Sequence, residues 1–174
     1  MKNRKWVQFM ILAVALLAGA YTVGAGIFKE DNEIVKVGSY APNFSLQGLD
    51  GKVYNLEDYK GTSVVVNFWG TFCPPCVNEM PALERQYEKW KNDDVVVLGL
   101  NLNESPITVR SFLNQHNITF PILMDQDIVR KQYKVISYPT TFYINSEGII
   151  EDIFIGEMQE SDIESRIEKL VERQ

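Results

Sequence analysis

Two cysteines separated by two residues place the tightest limit on what this chain can be. Cys73 and Cys76 are its only cysteines, in the run Trp69-Gly70-Thr71-Phe72-Cys73-Pro74-Pro75-Cys76. That spacing lets a pair pass between dithiol and disulfide with little backbone movement. Val64-Val65-Val66-Asn67-Phe68 before it reads as a buried strand, and Met80 to Trp90 after it reads as a helix. A C-x-x-C at a strand-to-helix junction is far more specific than the spacing alone. The other uses of two cysteines fit poorly. Structural zinc takes about four nitrogen or sulfur ligands, and the chain adds only one histidine, His116. Covalent haem attachment needs histidine after the second cysteine, where Val77 stands. As an inert staple the pair would close too small a loop to restrict the unfolded chain much.

The first residues differ from the rest. Lys2, Arg4 and Lys5 precede an uncharged run from Trp6 to Phe28. As a helix that run would span roughly 34 Å, enough to cross a hydrocarbon core. Basic residues ahead of it favour a cytoplasmic N-terminus with the remainder exported. An uncleaved signal-anchor and a cleaved signal peptide both fit, the second because Ala18-Gly19-Ala20 resembles a cleavage site. The apolar continuation from Tyr21 to Phe28 favours the anchor, and no nearby cysteine offers a lipid attachment point. The expected organisation is an anchor over residues 1–28, a charged linker over 29–36 and a single domain over 37–174. With Lys2, Arg4 and Lys5 set aside, 14 basic residues face 23 acidic ones, a net charge of −9 on the exported part. Such a surface argues against nucleic acid, which rewards basic patches, and against adhesion to anionic lipid.

Periodicity orders the domain. Asn43 to Leu46 and Val53 to Leu56 alternate apolar and polar around Asp50-Gly51, a hairpin signal. Val64 to Phe68 predicts a central strand covered on both faces. The following helix carries Met80, Leu83, Tyr87 and Trp90 on one stripe, with Pro81 expected to kink it. Val95 to Leu102 predicts a strand, Ile107 to Asn117 a helix, Phe120 to Met124 a short strand and Ile128 to Tyr133 a short helix. Thr140 to Ile144 and Ile149 to Ile155 form strands joined through Asn145-Ser146-Glu147-Gly148. A last helix opens at a capping box read as Ser161-Asp162-Ile163-Glu164, with Ile163, Ile167, Leu170 and Val171 inward. Strands alternating with helices predict an α/β fold with a parallel portion, and the last hairpin adds antiparallel strands.

Val66 to Cys76, with Pro81 eight residues after Cys73, resembles the thioredoxin-like fold. Ser137-Tyr138-Pro139-Thr140-Thr141-Phe142 is similar to the loop that holds a cis-proline beside the dithiol in that fold. Ala41-Pro42-Asn43-Phe44, the insertion between Asn103 and Asp127, and the N-terminal anchor resemble the ResA subgroup of membrane-anchored extracytoplasmic oxidoreductases, the ResA/TlpA/CcmG group. The likeness covers Val37 to Val171. It implies a thioredoxin-like domain with an N-terminal hairpin and a central insertion, preceded by one transmembrane helix. It implies a protein-disulfide reductase that uses no cofactor beyond Cys73 and Cys76. The implied substrate is the haem-attachment cysteine pair of apocytochrome c, and the implied electron donor is a membrane protein of the CcdA type. ResA members carry glutamate where this chain has Pro74. A sister branch, StoA-like and active in spore formation, carries C-P-P-C, so both branches stay open.

Cys73 falls at the expected N-cap of the helix, where the helix end favours an anionic sulfur. It reads as the attacking thiol and Cys76 as the resolving one. Pro74 and Pro75 lack N–H groups, so Cys76 supplies the first donor able to reach the Cys73 sulfur. Thioredoxin carries a buried aspartate at the position of Asn67, which cannot take a proton. Glu79, three residues after Cys76 and on the same side of the helix, is the candidate proton partner. The ResA likeness implies an important glutamate there. Tyr138, Pro139 and Trp69 are the expected substrate-contacting residues, with Phe72 as a further wall and Trp69 equally readable as core. Two rivals remain. A peroxidase of the same fold would carry threonine or serine where Gly70 stands. A copper chaperone would need a longer cysteine spacing and a ligand histidine, whereas His116 reads as a helix-surface residue.

Overall fold

In this computed structural model, residues 6, 10–16, 35–92 and 95–172 are described. The chain divides into two units, residues 1–34 and Val35–Gln174. In the first unit, Trp6 and residues 10–16 are helical. The rest of the expected membrane span lies outside the described residues. Among the described residues no helix is long and apolar enough to cross a membrane.

The second unit is built on a five-stranded mixed sheet in the order β5-β4-β3-β6-β7. Strand β3 (Ser63–Trp69) lies at its centre, parallel to β4 (Val95–Leu102) and antiparallel to β6 (Thr140–Ile144). Strand β5 (Ile122–Asp125) runs parallel to β4 at one edge, and β7 (Ile150–Ile155) pairs antiparallel with β6 at the other. A separate hairpin of β1 (Ser45–Gln47) and β2 (Val53–Asn55) turns through Gly51, whose φ of 85° suits glycine. The helices are α1 (Pro74–Trp90), α2 (Pro106–His116), α3 (Ile128–Gln132) and α4 (Glu160–Val171).

The two-residue period of β3 sorts its side chains between two cores. Val65 and Trp69 join Met80 and Leu83 of α1 and Ile163, Ile167 and Leu170 of α4. Val64, Val66 and Phe68 face the other way, onto Phe44 and Leu46 of the hairpin segment, Val129 of α3 and Tyr133. All seven residues of β3 are buried, as expected for a strand covered on both sides. Each large side chain enclosed this way contributes about 1.5–3 kcal/mol relative to exposure. Asn67 shares the face of Val65 and Trp69, so the strand aims one amide at the underside of α1.

Helix α1 begins at Pro74, with Cys73 as the expected N-cap, and carries Pro81 inside it. Two expectations need adjustment. Strand β7 begins at Ile150, because Ile149 instead bridges to Tyr40. Helix α4 is capped two residues before the expected box. Gln159 is the N-cap, and its N–H donates to the Asp162 carboxylate at 3.1 Å. Glu164 faces Lys89 of α1 instead, forming an interhelical ion pair. Arg85 makes a similar pair with Glu160. These contacts, with Ile163 and Ile167, hold α4 against α1.

Candidate active site

The site forms where β3 gives way to α1. Gly70 to Cys73 make a tight turn closed by the Cys73 N–H donating to the Gly70 carbonyl at 3.2 Å. Cys73 has extended backbone and is the N-cap of α1. The Cys76 N–H points at the Cys73 sulfur at 3.3 Å, the donor expected once Pro74 and Pro75 are passed. The two sulfurs are bonded to each other. Cys73 keeps 7% of its surface and Cys76 none. Cys73 is thus the more accessible residue of the two, although it is recessed rather than openly solvent-facing.

Only one N–H reaches the Cys73 sulfur among the described residues. A Pro74→Gly variant restores another donor at the first helical position, where the helix end favours negative charge. Its Cys73 is expected to alkylate with a pH midpoint about half a unit below that of the parent. Iodoacetamide rates against pH check this, and an unchanged or higher midpoint would refute it.

Behind the dithiol lies Glu79, one turn after Cys76 and 1% exposed. Its Oε1 accepts from the Asn67 side-chain amide at 2.8 Å, and its Oε2 accepts from the Met158 N–H at 3.0 Å. The same Asn67 amide donates to the Thr141 hydroxyl at 2.9 Å. Sheet register explains the trio, since Asn67 lies opposite Thr141 on β6 and opposite Gly99 on β4. Burial pushes the Glu79 carboxyl up to about 7, against the opposing pull of the Met158 and Asn67 donors. A carboxyl so poised exchanges protons readily at neutral pH.

The loop Ser137-Tyr138-Pro139 approaches from the far side. The Tyr138–Pro139 peptide is cis. Tyr138 is half-buried and packs against the cluster that contains both cysteines. Its ring meets Phe72 edge-on at 6.3 Å, and Phe72 is 61% exposed. Phe72 and Tyr138 thus form the apolar walls of the site. Trp69 does not take part in them. It is 0% exposed, packs on Phe112 and lies over Gly99, where any Cβ would come within 3.0 Å of its Nε1. Burial excludes it from substrate contact and assigns it to the floor of the core.

One group escaped the sequence reading. The Glu104 carboxylate accepts from the Thr71 N–H at 2.8 Å, from the Thr71 hydroxyl, and from the Asn101 amide at 2.7 Å. It ties the turn before Cys73 to the end of β4. The signal was slight: a polar Asn101 in a buried strand, three residues before an acid. Gly70 bears on the peroxidase reading. A Cβ there would clash with the Phe72 ring, so a threonine must displace that wall. His116 ends α2 stacked on Phe112 at 4.3 Å. Among the described residues no three metal-binding side chains gather.

Residues 37–153 match the AhpC/TSA family. The chain is 40% identical over 170 residues to the thiol-disulfide oxidoreductase ResA of Geobacillus kaustophilus, covering 97% of each. This chain belongs to the AhpC/TSA family and, within it, to the ResA thiol-disulfide oxidoreductases. ResA of Bacillus subtilis is 39% identical over 163 residues, covering 93% of this chain and 90% of the relative. The crystal structure of StoA from the same organism superposes with a TM-score of 0.65 at 28% identity, covering 73% of this chain and 97% of that one. The ResA relationship and the thioredoxin-like architecture agree with the dithiol at the head of α1. The chain is a thiol-disulfide oxidoreductase whose redox centre is the cysteine pair.

Proposed function

We propose that this protein is a reductant working outside the cytoplasm, tethered by residues 1–28 through the 29–36 linker, with residues 37–174 as its catalytic domain. Its substrate is the disulfide between the haem-attachment cysteines of apocytochrome c, and its electrons come from a CcdA-type membrane protein. The observation that carries the chemistry is the sulfur of Cys73 at the N-cap of α1, served by the Cys76 N–H, with buried Glu79 one turn beyond. The reductase reading is supported by the ResA relationship.

The proposed steps use these groups in turn. The Cys73 thiolate attacks one substrate sulfur, the substrate S–S bond breaks, and the first substrate thiolate leaves. Cys76 gives its proton to the Glu79 carboxylate and attacks the Cys73 sulfur. The mixed disulfide breaks, the second substrate sulfur leaves as a thiolate and is protonated, and two electrons have passed to the substrate. Tyr138 and Pro139 supply the surface against which the substrate chain lies, and Phe72 closes the other side.

The test is to mix the reduced full-length protein with an oxidised C-x-x-C-H peptide from an apocytochrome c and to measure its midpoint potential. Reduction of the peptide with a potential below about −230 mV is expected, and a value near −120 mV would mark an oxidant instead. One residue favours a second reading. Pro74 gives the C-P-P-C of the StoA-like branch, so rescue of spore formation but not of cytochrome c maturation in deletion strains would reassign the substrate. Rapid turnover of hydrogen peroxide would replace both with a peroxidase.

A further inference from the structure

Asn67 is 0% exposed and Glu79 1%, so solvent serves neither side chain. The Asn67 amide spends both hydrogens, one on Glu79 Oε1 at 2.8 Å and one on Thr141 Oγ1 at 2.9 Å. Its Oδ1 is buried and has no partner among the described residues. The second Glu79 oxygen faces the Met158 N–H at 3.0 Å, a main-chain donor that cannot become an acceptor. Both oxygens of Glu79 therefore face donors, an arrangement that favours the carboxylate and offers the O–H of the acid no acceptor in either contact. Yet burial keeps the acid form populated at neutral pH. A proton arriving on Oε1 would meet a donor head-on.

A half turn of the Asn67 amide resolves the conflict. Oδ1 then takes the place of Nδ2, accepts from the Glu79 O–H and also accepts from Thr141, whose hydroxyl can reverse from acceptor to donor. Two hydrogen bonds exist before the turn and two after it. An aliphatic residue could make neither pair, and an aspartate would set a second negative charge against Glu79.

We propose that Asn67 is a positioning residue for Glu79, a reversible amide that holds the carboxylate in one orientation and the carboxylic acid in the other, with Thr141 reversing in step. This rests on the reading of Glu79 as proton partner to the thiols. The remaining groups around Glu79 do not supply the missing acceptor. Tyr143 on β6 directs its hydroxyl to the Met158 sulfur at 3.3 Å. Glu157, on the loop after β7, is exposed and acts only through its charge. On α4, Asp162 and Arg166 bear on Tyr143. On α1 itself, Cys76 is held in the disulfide.

The test uses the full-length oxidised protein, isotopically labelled and in detergent micelles. The Glu79 carboxyl carbon and the Asn67 side-chain amide are followed by NMR across pH 4–9. The Asn67 Nδ2 and its hydrogens are expected to shift with the same midpoint as Glu79, and to become independent of pH in Glu79→Gln. In Asn67→Leu the Glu79 midpoint should rise by tenfold or more in proton affinity, because the bond lost by the carboxylate is charge-assisted and the stronger one. The pH profile of thiol exchange should move with it. Asn67 resonances that stand still while Glu79 titrates would overturn the proposal even if the leucine variant does not fold. So would a midpoint in Asn67→Leu within twofold of the parent. The oxidised protein contains no thiol, so the two readings fail separately. If Asn67 follows Glu79 while Glu79→Gln exchanges thiols normally, the adaptor stands and the proton-partner role falls.

Discussion

A Cys73→Ser variant is expected to lose protein-disulfide exchange by at least a factor on the order of a thousand, while keeping its fold. The loss follows because a serine hydroxyl is not ionised near neutrality and cannot form the mixed disulfide. The fold should survive for two reasons. Serine is a good N-cap and can accept the Cys76 N–H that now points at sulfur. Losing so short a disulfide loop costs about 2 kcal/mol by chain entropy. Cys76→Ser should behave differently. It should attack substrate but stall as a mixed disulfide, because nothing then expels the product. Insulin reduction assays and mass spectrometry of trapped adducts separate the two. Comparable exchange by parent and Cys73→Ser would sink the assignment of the nucleophile.

Glu79→Gln should change the dependence of stability on pH. The Glu79 carboxyl moves from 4.5 to about 7 on folding, mainly because burial disfavours its charge. Between those values the folded protein holds a proton that the unfolded chain has released. Stability therefore falls as pH rises through that window and is level above it. The gap corresponds to about 3 kcal/mol. The glutamine variant lacks this slope, so relative to the parent it should gain stability from pH 4.5 to 7.5. Urea unfolding of both oxidised proteins at several pH values measures it. Parallel curves would mean that Glu79 does not titrate in this range. The same variant should slow the resolving step at pH 7 by about a hundredfold, since Cys76 loses its proton acceptor. A variant whose stability no longer falls toward neutral pH, yet which is slower, is the signature of a buried acid kept for chemistry.

The order of elements was legible because each signal was local. The period of β3, the Asp50-Gly51 turn and the Pro-Pro start of α1 are all properties of neighbouring residues. The position of Cys73 at the N-cap was equally legible, since proline at the first helical turn fixes where the helix begins. Contacts across the sheet were not. Asn67 and Glu79 each stood out alone, but their bond depends on which face of β3 meets α1, and Thr141 joins them only through strand register. Glu104 was missed for the same reason, since it reaches Thr71 across two strand ends. Trp69 stood beside the motif, yet the pleat sent it inward. The cap of α4 slipped because Gln159 and Ser161 both precede an acid three residues on, and sequence alone does not rank them.

One donor to Glu79 comes from Met158, beyond the segment 37–153 that marks the family. That residue leads directly into α4, which is clamped to α1 through Arg85 and Lys89. Any shortened form ending where the family signature ends would keep both sulfurs and still unbalance the acid behind them. The proton-partner role proposed for Glu79 therefore predicts that C-terminal tags or truncations that disturb Met158 will be felt at the dithiol.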